Sequence, residues 1–549
     1  MNARERVKIA LITPIEDDIP VQVSAYKAWM PRYGSVAVAQ ALKDAGYDIR
    51  HYCEHSGSII DWDFVYSCDY VCFSLMTFCA YRGYRQADQV RDNSEAKIIF
   101  GGCHATVAPE DSLNHCDFVI RNEGEAALLE LLDAIENGRD ATDTKGISYR
   151  DDSGHYHHNP DHAFMSDLTH PIDISIIEGY PKNRLGRFLW ETISRAQIPR
   201  ISLPVAQSSR GCVHKCKFCM VKYELGSQYR TRPAEVVLEE IDRAFDYLGS
   251  RTVFFVDNDF THNSDHALSI LEPLIEKYDG HLTLYIFSRV ELARKPKLLD
   301  ALSRIDNVYI GVGFESTNDA TLSQFSKGQT QSGFEADVSR LRERGLNIHG
   351  LFIFGADADT EESLTRTVSF ALDTKLYTVG FSALYDIPGK EKTVGIPQII
   401  PDHRFIHRDW RLFTGHFVVF FPKQIRPSQL QRKIIEGQRH FFRKNRETFY
   451  QYFPVYASSE PYLQYLEEQE KDLYDENDCL IEERLLGRTY EDLPDFVPIK
   501  PSHWVKIRET VEFIAQNIFR KTAWKMLRRN FMLSDRSGRK TADPGSVQI

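Results

Sequence analysis

No apolar run in the 549 residues approaches the length needed to cross a bilayer, which takes about 20 consecutive apolar residues. Positive charge is not in excess either: 67 Lys and Arg face 78 Asp and Glu, a formal net charge of -11. A general nucleic-acid binder needs a broad basic face, so nucleic acid is not an expected partner. The opening Met1-Asn2-Ala3-Arg4-Glu5-Arg6 runs straight into a β-branched segment without the apolar core of a signal peptide, and the expected setting is the cytoplasm. Internal repeats and low-complexity tracts are missing as well, which sets aside solenoid and disordered architectures. What remains is a globular chain too long for one hydrophobic core, and three or four domains are expected.

Disulfides are rare in reducing cytosol, so clustered thiols there point to metal or catalysis. Of ten cysteines, Cys53, Cys68, Cys72, Cys79, Cys103, Cys116 and Cys479 are scattered and read as small buried residues. Cys212, Cys216 and Cys219 stand apart, within Ser209-Arg210-Gly211-Cys212-Val213-His214-Lys215-Cys216-Lys217-Phe218-Cys219. A ferredoxin would need a fourth cysteine at short spacing, and none is present. Three thiolates can hold three irons of a [4Fe–4S] cluster and leave the fourth open to an exogenous ligand. The alternative is a structural zinc, which would need a further ligand such as His214.

Strand and helix patterns alternate through the first 140 or so residues. Val7–Ile12, Asp48–Tyr52, Tyr70–Ser74, Lys97–Phe100 and Asp117–Ile120 read as strands; Ser35 can cap a helix ended by Gly46, and another helix begins near Glu125. This alternation implies a parallel sheet whose ligands bind beyond the C-terminal strand ends. A hairpin, Ile147–Arg150 with His155-Tyr156, opens a proline-rich connector. From about Val205 a second series supplies six βα units, with strands near Ala206, Val253–Val256, Leu282–Phe287, Val308–Val312, Ile348–Phe354 and Thr378–Ala383. Six units suit a partial barrel rather than the eight of a closed one. Beyond Pro401 the repeat stops and helical patterns follow.

The cysteine triplet, with Phe218 just before its last member, resembles the CxxxCxxC of the radical S-adenosylmethionine (SAM) superfamily. The resemblance implies that SAM chelates the open iron and is split by an electron from the cluster, giving a 5′-deoxyadenosyl radical. Further segments resemble the superfamily's SAM-contacting strands. Phe255-Val256-Asp257-Asn258-Asp259 holds the second-strand position, where Asp257 is the candidate for the SAM ammonium. Arg289, after Ser288, would pair with the SAM carboxylate. Glu315, in Gly311-Val312-Gly313-Phe314-Glu315-Ser316, would approach the polar groups or ribose, and Gly355, ending Gly350-Leu351-Phe352-Ile353-Phe354-Gly355, the adenine.

Gly101-Gly102-Cys103-His104-Ala105-Thr106, with Arg121-Asn122-Glu123-Gly124-Glu125, resembles the cobalamin-binding domain found before many radical SAM barrels. A glycine pair at a strand end lets backbone approach a bulky planar ligand, and His104 is a candidate contact. Asn122 replaces the motif's first glycine, and no DxHxxG segment supplies a lower axial histidine for cobalt. A Rossmann-like domain that binds nothing is the alternative. Asp409–Lys423 resembles a segment that follows the barrel in hopanoid methylases and anaerobic Mg-protoporphyrin ester cyclases.

The expected architecture is α/β: a Rossmann-like cobalamin-binding domain over residues 1–141, a connector with a hairpin over 142–203, a partial (βα)6 radical SAM barrel over 204–398, and a mostly helical extension over 399–549. The expected cofactors are a [4Fe–4S] cluster, SAM and cobalamin. The expected activity is methylation of an unactivated carbon in a large apolar small molecule, such as a lipid, tetrapyrrole or natural-product precursor. A cyclase or oxidase with the same cofactors is the first alternative, and a cobalamin-sensing protein the second. A flavodoxin or ferredoxin is the expected electron donor. The basic stretch with Trp524, Met526, Leu527, Phe531 and Met532 is a candidate for peripheral contact with anionic lipid.

Overall fold

In the computed structural model, residues 7–15, 30–180, 203–445 and 449–487 are described, the last segment with side chains from residue 459. The basic stretch and much of the proline-rich connector fall outside them. Among the described residues no helix is long and apolar enough to cross a membrane.

Two sheets organise the chain. The first has seven strands in the order β2-β1-β3-β4-β5-β6-β7: β1 (Lys8–Thr13), β2 (Asp48–Cys53), β3 (Tyr70–Ser74), β4 (Lys97–Gly101), β5 (Phe118–Ile120), β6 (Ile147–Arg150) and β7 (Tyr156–His158). Strands β1 to β5 are parallel, as alternation with helices requires. Helices Tyr33–Asp44 and Gly124–Glu136 cover one face around Leu42, Leu128 and Leu131. Ser35 lies inside the first of these rather than at its cap, and its hydroxyl donates to Arg32 O at 2.8 Å. The expected hairpin is present as β6 and β7, and it continues the first sheet, since β6 pairs antiparallel with β5.

The second sheet holds six parallel strands in the order β15-β14-β13-β12-β11-β8. They are β8 (Val205–Ala206), β11 (Thr252–Phe255), β12 (Thr283–Ser288), β13 (Asn307–Glu315), β14 (Asn347–Phe354) and β15 (Thr378–Ala383). Strands β8 and β15 are not paired with each other, so the barrel stays open along one seam. Short strands β9 (Ser209–Arg210) and β10 (Arg230–Thr231) pair antiparallel beneath the cysteine loop. After the barrel, helix Pro427–Lys444 buries Leu430, Ile434, Phe441 and Phe442 against it.

Polar contacts join the first domain to the barrel and the segment after it. Arg232, in the barrel, donates to Tyr33 of the first domain at 2.6 Å and pairs with Glu240. Trp410 Nε1, after the barrel, donates to Asp111 Oδ2 at 2.8 Å.

Candidate active site

The cysteine loop leaves β9 and returns to β10. Gly211 starts it at φ +82°, so close to the returning strand that a Cβ would collide with Gln228 O. Backbone bonds then fold the loop: Cys212 N donates to Gly226 O at 3.2 Å, Lys217 N to Phe325 O at 2.9 Å, and Cys219 N to Cys216 O at 3.2 Å. Phe218 packs edge-on against Phe325, with ring centroids 5.1 Å apart. All three thiols are free, and they act electrostatically on one another. Burial raises the Cys212 thiol and pushes Cys219 up to about 11. Coordination to metal deprotonates such a thiol. His214, the further ligand a zinc centre would need, is grouped instead with Asp259 and His262, the ligand atoms of all three lying within 4.8 Å of one another. Three thiols without that imidazole fit a cluster that leaves one iron open.

Around this loop the sequence candidates separate. Asp257 is fully buried and accepts hydrogen bonds from Ser208 N at 2.9 Å, Ser208 Oγ at 2.7 Å and Ser209 Oγ. Burial raises its pKa, and the carboxyl ties the end of β11 to the end of β8. The carboxylate that acts on the Cys212 thiol is Asp259, two residues further on. Arg289 also acts on Cys212, and it donates to Lys327 O at 3.1 Å and Glu291 Oε1 at 3.3 Å. Glu315 stands at φ +62°, beside the irregularity that shifts the β13–β14 register, and pairs with Lys327 at 2.7 Å. A non-glycine residue held there marks local strain. Gly355, at φ +107°, is pressed on helix Pro427–Lys444, where a Cβ would meet Leu430 Cδ2 at 2.7 Å.

In the first domain, Gly102 adopts φ +90°, and a Cβ there would come within 2.7 Å of Leu75 O, so the loops after β3 and β4 interlock at backbone level. Gly101 has room around it, its nearest neighbour being 3.7 Å away. His104 is fully buried behind this floor, its Nε2 2.7 Å from Tyr84 OH and its ring edge-on to Trp410. The acidic residues after Arg121 face the barrel. Glu125 pairs with Arg210 at 2.8 Å, and Glu123 with Arg230 at 2.7 Å. Asn122 occupies φ +65°, which asparagine tolerates better than most residues.

Sequence reading missed a further set of groups. Tyr385 is 42% exposed, yet burial pushes its phenol up to about 12. Cys103, Cys219 and Glu224 share this pattern: each is partly accessible, while desolvation pushes Cys103 to about 12, Cys219 to about 11 and Glu224 to about 7. Charges on Cys103, Glu224, Asp386 and Cys219 all act on Tyr385. They come from the loop after β4, the end of the cysteine loop and the segment after β15. No periodic pattern marks Glu224 or Tyr385, and Cys103 reads in sequence as one more scattered, buried cysteine. Cys479 also departs from that expectation, being exposed; Cys53, Cys68, Cys72, Cys79 and Cys116 are buried as expected.

An open six-stranded barrel with three thiols in the loop after its first strand, joined to a parallel-sheet domain, defines a radical SAM enzyme with a B12-binding domain. The Radical SAM superfamily model matches residues 207–371, and that of the B12 binding domain matches residues 21–132. These domains imply a [4Fe–4S] cluster, SAM and cobalamin. The chain is 24% identical over 446 residues to bacteriochlorophyllide d C-12(1)-methyltransferase of Chlorobaculum tepidum, covering 80% of this chain and 88% of that one. It is 22% identical over 463 residues to the anaerobic magnesium-protoporphyrin IX monomethyl ester cyclase of Synechocystis, covering 79% and 89%. The fold resembles that of OxsB, a cobalamin-dependent SAM radical enzyme solved with aqua-cobalamin bound, with a TM-score of 0.60 at 14% identity over 95% of this chain and 83% of that one.

Proposed function

We propose that the protein is a cobalamin-dependent radical SAM methyltransferase that acts on an unactivated carbon of a small, largely apolar molecule. The observation that carries this reading is the joining of the first domain to the base of the cysteine loop, where Glu125 pairs with Arg210 and Glu123 with Arg230. A substrate held between the two domains so joined would lie between the two cofactors and away from water, as radical chemistry requires. When bound, the cluster and SAM supply a 5′-deoxyadenosyl radical, and cobalamin supplies the methyl group.

The chain's residues bind and orient. Cys212, Cys216 and Cys219 are the cluster ligands in this proposal. Asp259 and Arg289, which both act on Cys212, are placed to meet the ammonium and carboxylate of SAM. Asp257, Glu315, Phe218 and Gly355 hold the strand ends and loop in position around them. The interlocked backbone at Gly102 and the open space around Gly101 would form the floor for the corrin, with His104 supporting it from behind. A flavodoxin or ferredoxin is the proposed electron donor.

The likeness to a magnesium-protoporphyrin ester cyclase favours a second reading, oxidation or cyclisation without methyl transfer. Anaerobically reconstituted protein, given SAM and dithionite, is expected to release 5′-deoxyadenosine, and turnover is expected to yield S-adenosylhomocysteine as well. Turnover that yields 5′-deoxyadenosine alone selects the second reading. Cys216→Ala is expected to lose the visible absorption of the cluster and keep bound cobalamin; iron and activity surviving that change would overturn the cluster assignment.

A further inference from the structure

Three metal-ligating side chains converge beside the cysteine loop, apart from its thiols. His214 is carried on the loop between Cys212 and Cys216, whereas Asp259 and His262 belong to the segment that follows β11. Asp259 is buried, and its Oδ2 lies 3.8 Å from His214 Nε2 and 4.0 Å from His262 Nδ1. Both separations are too long for a hydrogen bond, yet they suit two ligands of one ion, each about 2.0–2.2 Å from it. The ligand atoms of all three residues lie within 4.8 Å of one another, so a small inward turn of the imidazoles closes the set. His214 Nε2 is shut off from solvent and meets no hydrogen-bond partner among the described residues. A buried ring nitrogen left unmet is costly. The two imidazoles stand nearly perpendicular, at 88°, and Tyr229 packs on His262 with ring centroids 4.8 Å apart.

We propose that His214, Asp259 and His262 form a second metal site, separate from the cysteine triplet, that takes one divalent first-row transition-metal ion. Two imidazoles and one carboxylate are a donor set for zinc or ferrous iron; calcium and magnesium, which take oxygen ligands, do not suit it. Water completes the coordination. Asp259 Oδ1, which accepts from Thr261 Oγ1 at 3.1 Å, stays available to the ammonium of SAM. The ion's role is structural. Through His214 it ties the loop that carries Cys212 and Cys216 to the end of β11, and holds that loop on the barrel independently of the cluster.

The test uses the full-length protein with its cluster reconstituted anaerobically, given zinc afterwards and then desalted. Wild type is expected to retain one zinc per chain besides the irons of the cluster. Its zinc X-ray absorption spectrum is expected to show nitrogen and oxygen at about 2.0–2.2 Å and no sulfur. His262→Ala is expected to keep iron, sulfide and the visible absorption of the cluster while losing about a hundredfold or more in zinc affinity, measured by chelator competition; even an outer-shell partner can be worth that much. His214→Ala should repeat the loss from the side of the loop. Ferrous iron as the natural occupant would appear as one iron per chain beyond the cluster in protein reconstituted without zinc, and would vanish in His262→Ala. Sulfur at about 2.3 Å in the zinc spectrum would put the ion on the cysteines and overturn the site. Equal zinc affinity in wild type and His262→Ala overturns it as well, as does wild-type protein that retains no metal beyond its cluster. The wild-type spectrum decides the question should either variant misfold, and none of these outcomes bears on methyl transfer.

Discussion

Glu125 and Arg210 meet at 2.8 Å with both side chains buried, joining the last helix of the first domain to the residue pair that launches the cysteine loop. Glu123 repeats the arrangement with Arg230 on the returning strand. An acidic motif that resembles a cobalamin-domain signature is thus, in the folded chain, a clamp on the base of the neighbouring domain's cysteine loop. The position of the floor after β4 relative to the thiols depends on it.

Removing one partner of a buried ion pair leaves an uncompensated charge and costs roughly 3–5 kcal/mol. Glu125→Ala is expected to lose stability on that scale. The double variant Glu125→Gln with Arg210→Met is expected to lose less than the sum of its single changes. Urea unfolding of the four proteins measures the coupling, and strictly additive losses would deny the clamp.

Asn122 at φ +65° stands where the related motif has glycine. Asn122→Gly is expected to leave stability almost unchanged, whereas Asn122→Ala should cost about 1–2 kcal/mol, the penalty of a left-handed backbone for an ordinary residue. Thermal melting separates the two, and equal melting temperatures would contradict the geometry.

Gly211 has no room for a methyl group, because Gln228 O lies where a Cβ would go. Gly211→Ala is therefore expected to displace the cysteine loop and assemble little cluster, although every cysteine is retained. Iron and sulfide content after anaerobic reconstitution is the measurement, with Gly249→Ala as the control: Gly249 also has positive φ, but nothing lies within 4 Å of a Cβ there.

Asp257 and Asp259 should part in experiment. Asp257→Ala strands three donors on Ser208 and Ser209 and is expected to cost about 1–3 kcal/mol or more in unfolding free energy. Asp259→Asn is expected to fold with near wild-type stability and to change SAM affinity instead, read by equilibrium binding of SAM to the reconstituted protein.

Burial lowers His51 and His407 from the ordinary 6.5 to about 3. An unfolded histidine takes up a proton as pH falls through 6.5, while these two stay neutral in the fold until about 3. Their contribution to stability is complete above the higher value and is lost progressively as pH falls toward the lower one. Asp409 N donates to His407 Nδ1 at 3.2 Å, so the proton sits on Nε2, which faces Tyr462 OH at 3.0 Å. His407→Asn is expected to lower stability at neutral pH and to make the acid-side fall shallower. Melting temperature measured across that range checks the slope.

Much of this fold is legible without coordinates because strand and helix periods are local. The β-branched runs at β3, β14 and β15 and the amphipathic pattern of Ala234–Leu248 sit where the pattern places them. The cysteine loop is legible for the same reason, since its ligands lie within one turn of chain. The neighbouring carboxylates are harder: Asp257 and Asp259 are two residues apart, and only the packing of β8 beside β11 turns one toward Ser208 and leaves the other acting on Cys212.

By itself the sequence determined the order of strands and helices, the spacing of three thiols and the excess of negative charge, because each depends on covalent order or on a short period. Tertiary structure alone decided that Glu123 and Glu125 grip Arg230 and Arg210, and that Cys103, Glu224 and Cys219 act on Tyr385. Those residues are far apart along the chain, and nothing short of folding sets how far each is removed from water. Desolvation, which leaves no mark on local pattern, is what shifts Cys103, Cys219, Glu224 and Tyr385 away from their ordinary values.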